Sequence, residues 1–158
     1  MHDKLKSIPT DEFIDLLPEA TASILRTGLA SATDPNAVVI QIASQPSEGL
    51  ATRGGAAWPR ETIRAIAREI HLAICTDDPK YAKLREKLNG EATVSAAIVV
   101  NMISSYVAAS VDMLAAMCVP LVTLVLATAS KVGFAGWCAA MTASIEPKPE
   151  GEANKEGT

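Results

Sequence analysis

From residue 92 to residue 142 the chain carries two formal charges, Asp112 and Lys131, whereas the residues before it mix acids and bases densely. So long an apolar stretch has to bury its surface in a bilayer, in the rest of the chain or in a protein partner. Hydrophobic residues make up 49% of the chain and aromatics 4%, so the apolar mass is Ala, Val, Leu and Ile, which suits close helix packing better than an aromatic-lined cleft. The expected fold is all-α. Amphipathic helices of mixed charge over residues 1–90 precede a long hydrophobic helical hairpin over 91–142, and a tail over 143–158, rich in Pro, Glu and Lys, has nothing to bury and is expected to be disordered.

Within the hairpin, a helical wheel of the first arm, residues 92–111, brings Thr93, Ala97, Asn101, Ser104, Ser105 and Ala108 onto one face, with Val99, Ile103, Tyr106 and Val107 opposite. Asp112 reads as the N-cap of a second arm over 113–142, bent at Pro120, with a break at Pro120 itself as the alternative. On that arm Ala115, Val122, Ala129 and Gly136 recur every seven residues, and Ala129 with Gly133 and Gly136 with Ala140 form small-xxx-small pairs. These small residues, together with Thr93, Ala97, Asn101 and Ser104, are the expected helix-packing or interface positions. A turn near Asp112 places that carboxylate at the tip and brings Glu91 and Lys131 together at the base. At 1.5 Å per residue, the stretch from Met113 to Ser130 is about 27 Å long, close to the roughly 30 Å of bilayer hydrocarbon.

The first half holds the start and stop signals of several helices. Thr10 is placed to cap a short helix through Leu17, Pro18 to begin one running to about Ala32, and Pro59 to begin an amphipathic helix with Ile63, Ile66, Ile70 and Ile74 on one face. Asp78 and Pro79 restart the chain, and Asn89 and Gly90 stop it again. Residues 36–43 are taken as helix, although their β-branched run would suit a strand; residues 45–58, with Pro46, Gly49, Gly54 and Gly55, read as a surface loop.

No secretory signal pattern precedes the first helix, so the first half is expected in the cytosol, and Cys75, Cys118 and Cys138 are expected as reduced thiols. No basic cluster interleaved with aromatics marks a nucleic-acid surface. His2, His71, the pair Asp77 and Asp78, and the loop Thr52-Arg53-Gly54-Gly55 give no catalytic, metal or cofactor pattern; His71 beside Cys75 lacks a third orienting group. Lys80, Lys83, Arg85 and Lys87 before the first arm agree with the positive-inside rule if both termini are cytoplasmic.

In helix order and hydrophobicity the chain resembles, at the level of architecture, the pore-forming domains of colicins and the helical bundle of apoptosis regulators, where amphipathic helices surround a hydrophobic hairpin; the likeness carries no motif and assigns no residue. The expected function is that of a non-enzymatic, membrane-active or membrane-anchored protein with a cytosolic docking domain, an inserting hairpin and a protein partner or second copy. The alternative is a soluble helical interaction module whose hairpin is its own core or an oligomer interface.

Overall fold

The computed structural model describes residues 2–31, 39–40 and 58–145, and among these residues it is all-α. The helices are α1 (His2–Lys6), α2 (Thr10–Ile14), α3 (Glu19–Ser31), α4 (Arg60–Cys75), α5 (Ala82–Gly90), α6 (Ala96–Val111), α7 (Ala115–Val132) and α8 (Phe134–Ile145), with a 3-10 turn at Pro79–Tyr81. The expected loop before Trp58 and the tail beyond residue 145 lie outside the described residues; of 36–43 only Val39 and Ile40 are described, and both are helical. Helix α8 runs through residues 143–145, so the helix ends three residues later than the composition predicts.

Local chemistry starts most helices where the punctuation stands. Pro59, extended, precedes α4, whose Ile63, Ile66, Ile70 and Ile74 are all buried. The Asp78 carboxylate accepts the Lys80 backbone N–H at 2.9 Å and opens the 3-10 turn. Ser95 caps α6 by accepting the Ile98 N–H at 3.3 Å, and α5 ends at Gly90. Thr10 departs from its expected role: Pro9 occupies the N-cap position of α2, and the Thr10 hydroxyl lies 2.7 Å from that of Ser130 on α7.

Helix α7 is the axis of the fold. Residues 121–129, about two and a half turns, are buried on every side. Helices α2, α3, α4, α6 and α8 all pack against it, and α4 also packs against α6 and α8. An α-helix buried round its whole circumference has to be apolar round its whole circumference, which is what the uncharged sequence dictates. Its two polar side chains here, Thr123 and Thr128, donate to the carbonyls of Val119 and Leu124 one turn back, so neither hydroxyl is stranded.

Two expectations about the hairpin are corrected. Asp112 is a C-cap, not an N-cap: it sits in the left-handed region at φ 59° and ψ 49° and donates its N–H to the Ala108 carbonyl, closing α6. Asp shares with Asn and Gly a tolerance for this conformation, and the reversal of the chain requires it just there. Leu114, which has no capping side chain, stands at the N-cap of α7 instead. The second arm is not one helix bent at Pro120. Pro120 lies inside α7, where its missing N–H removes a single rung, and the arm breaks at Gly133. Gly133 has φ 104° and ψ 127°, its N–H bonds the Ala129 carbonyl and its own carbonyl accepts the Trp137 N–H, so one residue ends α7 and begins α8.

Candidate functional site

The feature that asks for a functional explanation is the apolar hairpin of α6 and α7 with α8 folded against it. Helix α7, 18 residues with a mean hydropathy of 1.8, is long and apolar enough to cross a membrane; α6 and the segment Phe134–Ala143 are apolar but shorter. The two ends of this hairpin are built differently.

At the base, the N-terminal helices bond to both residue 91 and residue 131. Lys4 Nζ donates to the Glu91 carbonyl, and Lys131 Nζ lies 3.4 Å from the Arg26 carbonyl. Glu91 and Lys131 do both lie at the base, but no ion pair joins them among the described residues: Lys4 of α1 bonds the main-chain carbonyl of Glu91, and the Lys131 ammonium turns to a main-chain carbonyl of α3. The Glu12 carboxylate accepts the Ala96 N–H at 2.9 Å, which sets an acid at the N-terminus of α6, where the helix dipole favours it.

At the tip, Asp112 is exposed and Leu114 is 64% exposed, the most open large apolar side chain among the described residues, with Val111, Met113 and Met117 half-buried around it. The 3-10 turn reaches this end: the Tyr81 phenol donates to the Glu69 carboxylate at 2.7 Å and lies 3.0 Å from Ser110 Oγ. Burial raises the Tyr81 pKa well above the ordinary phenol range; the Ser110 hydrogen bond opposes this, and the Glu69 carboxylate adds to it. The phenol therefore stays a donor throughout the physiological range. Lys80 pairs with the same Glu69 carboxylate at 2.9 Å, so the basic run before the first arm begins beside the tip. About one turn further along α4, at its C-terminus, Arg85 donates to the carbonyls of Leu72 and Ala73, both at 3.0 Å, and so caps that helix with a cation.

The proposed packing positions divide between core and surface. Ser104 and Ala129 are fully buried, Gly133 and Ala140 are half-buried, and Thr93, Ala97, Asn101 and Gly136 are exposed. Helix α6 turns Val99, Val100, Ile103 and Val107 inward, so only the Ser104 and Ala108 edge of its small-residue stripe goes with them. The Ser104 hydroxyl is buried without a hydrogen-bond partner among the described residues.

These placements reorder the expected cost of enlarging small residues. A Cβ on Gly136 would meet only Val132 Cγ1, at an ordinary 3.5 Å, and a Cβ on Gly133 would meet open space but stand on a backbone conformation hostile to L side chains. Gly136→Leu is expected to change the stability of the single chain by no more than about 0.5 kcal/mol. Gly133→Ala should cost about 1 to 3 kcal/mol from backbone strain, and Ala127→Leu a similar amount from overfilling a fully buried position. Urea denaturation of the three variants checks this; a Gly136→Leu loss equal to that of Ala127→Leu would mean that α8 is packed more tightly than described.

The cysteines also depart from expectation. Cys75, the last residue of α4, and Cys138 of α8 form a disulfide with Cα atoms 5.6 Å apart and a sequence separation of 63, leaving Cys118 as a buried free thiol. One turn along, His71 is buried rather than at the surface: its Nε2 lies 3.0 Å from the Thr142 hydroxyl and its ring tilts against Trp137, 6.5 Å between centroids. No signal in the sequence separates these cysteines from ordinary buried thiols, since only the antiparallel packing of α4 on α8 brings them together. Among the described residues no cluster of His, Cys, Asp and Glu is arranged to hold a metal ion.

The fold and this site define a helical bundle closed around a span-length apolar helix. No family model matches the chain, and neither a curated protein nor a solved structure shows significant similarity to it.

Proposed function

We propose that the protein is a non-enzymatic, membrane-active helical protein that carries its apolar hairpin in water inside a jacket of amphipathic helices and delivers it to a bilayer. The observation that carries the reading is α7: span-length and apolar, yet enclosed by short helices that hold it at the base through a few hydrogen bonds. Its 18 residues make about 27 Å of helix, near the roughly 30 Å hydrocarbon thickness. The tip, with Leu114 open and methionines around it, carries the most exposed large apolar side chain among the described residues. Both chain ends stay on the side from which the hairpin enters, because a hairpin returns the chain. A second copy, meeting through the exposed small positions Ala97, Asn101 and Gly136, is the partner that such a hairpin would take within the membrane.

One observation favours a second reading, a soluble interaction module whose hairpin is a finished core: the unbroken burial of residues 121–129 leaves no apolar face of α7 waiting for lipid. Leu114→Asp separates the two. An aspartate at this uncapped N-cap should stabilise the fold by about 1 kcal/mol, while removing the apolar tip should weaken binding to anionic vesicles at least about tenfold. Co-sedimentation with vesicles and thermal melting measure the two effects. Failure of the unmodified protein to bind vesicles of any composition would leave the soluble module as the answer.

A further inference from the structure

We propose that the Cys75–Cys138 disulfide is a redox latch: oxidised, it holds α8 against α4; reduced by a dithiol, it lets α8 swing away about Gly133 while the rest of the bundle stays folded. Its role in controlling hairpin release rests on the membrane reading above.

Three observations converge on α8. It is attached at one end through Gly133, a residue in a conformation that belongs to neither neighbouring helix, and it packs on α4 and α7. Its hold on α4 includes, one turn apart, the disulfide from Cys75 and the His71 to Thr142 hydrogen bond, of which the first is covalent. The docked state also leaves an uncompensated polar group: Trp137 is completely buried, and its Nε1–H has no hydrogen-bond partner among the described residues. An unpaired indole N–H regains a partner in water, so undocking α8 recovers a hydrogen bond that docking forfeits. The covalent tie and the apolar contacts of Phe134, Trp137 and Met141 act against that tendency, and reduction removes the tie.

Both sulfur-bearing residues are half-buried rather than sealed, so a reductant has an approach; Cys118 is fully buried in α7 and stays out of the exchange. The chemistry is thiol–disulfide exchange. A thiolate of the dithiol attacks one sulfur, the S–S bond breaks and the other cysteine leaves as a thiolate that takes up a proton. The second thiol of the reductant then displaces the first cysteine. The protein gains two electrons and two protons, and the dithiol becomes a disulfide.

The test is amide hydrogen exchange of the full chain, oxidised and then reduced with dithiothreitol, with Cys75→Ala/Cys138→Ala as a permanently open form. On reduction the α8 amides should exchange at least tenfold faster while those of α7 keep their protection, and the double variant should match the reduced protein. Emission from Trp137, read in a Trp58→Phe background, should shift to the red. Unchanged α8 exchange and emission after complete reduction overturn the latch, leaving a plain staple; equal loss of protection in α7 overturns it too, because that is global unfolding. A vesicle arm keeps the two ideas apart. Stronger vesicle binding by the reduced protein supports both, whereas release of α8 with no vesicle binding in either state overturns the membrane reading and leaves the latch standing.

Discussion

Phe13→Ala is expected to lower the stability of the protein by about 3 to 5 kcal/mol, a large fraction of what a domain of this size has to lose. Phe13 is completely buried on α2, a helix of only five residues, and α2 packs directly on α7. So short a helix has no stability of its own, because nucleation is unfavourable and few rungs follow it. The phenyl ring is its main apolar anchor, helped by Ile14, with the Thr10 to Ser130 and Glu12 to Ala96 hydrogen bonds on either side. Truncating the ring should detach α2 and uncover the base of the hairpin. Denaturant titration reads the stability loss. In the membrane reading, binding to anionic vesicles at a fixed temperature should rise as the jacket loosens. A variant as stable as the unmodified protein would show that α2 is not a structural part of the jacket.

Leu124→Ala should cost about 2 to 5 kcal/mol, since Leu124 is fully buried in the middle of α7 and the surrounding helices cannot collapse into the space from every side at once. Leu114→Ala is its internal control. The two leucines belong to the same hairpin, ten positions apart, but Leu114 is 64% exposed, so its truncation is expected to change stability by no more than about 0.5 kcal/mol. If α7 were already turned outward in solution, the two costs would converge. A difference of under 1 kcal/mol between these variants in urea would overturn the description of α7 as the enclosed axis.

Much of this fold was written locally. The isoleucine ladder of α4, the proline before it, the Asp78 start and the Gly90 stop are short-range signals, because each acts through hydrogen bonds or sterics within a turn of itself. The uncharged run from residue 92 to residue 142 likewise predicts a helix that has to be enclosed, since hydrophobicity is a property of the side chains wherever they go. That the hairpin turns near Asp112, with Glu91 and Lys131 at the other end, also follows from chain geometry alone.

What the sequence left open depends on which distant elements arrive next to a residue. Asp is favoured both at helix N-caps and in the left-handed conformation that ends helices, so only the path of the chain between α6 and α7 decided that Asp112 closes the first instead of opening the second. Proline and glycine both mark breaks; the arm yields at Gly133 because Pro120 loses one rung inside a helix packed on all sides, while Gly133 adopts the positive φ a sharp change of direction requires. The Glu91 main-chain carbonyl and the Lys131 ammonium bond to neighbours that tertiary packing supplied from α1 and α3. Cys75 and Cys138 are joined across 63 residues only because α4 and α8 lie antiparallel, and a disulfide needs two Cα atoms within about 7 Å, a distance that no pattern along the chain encodes.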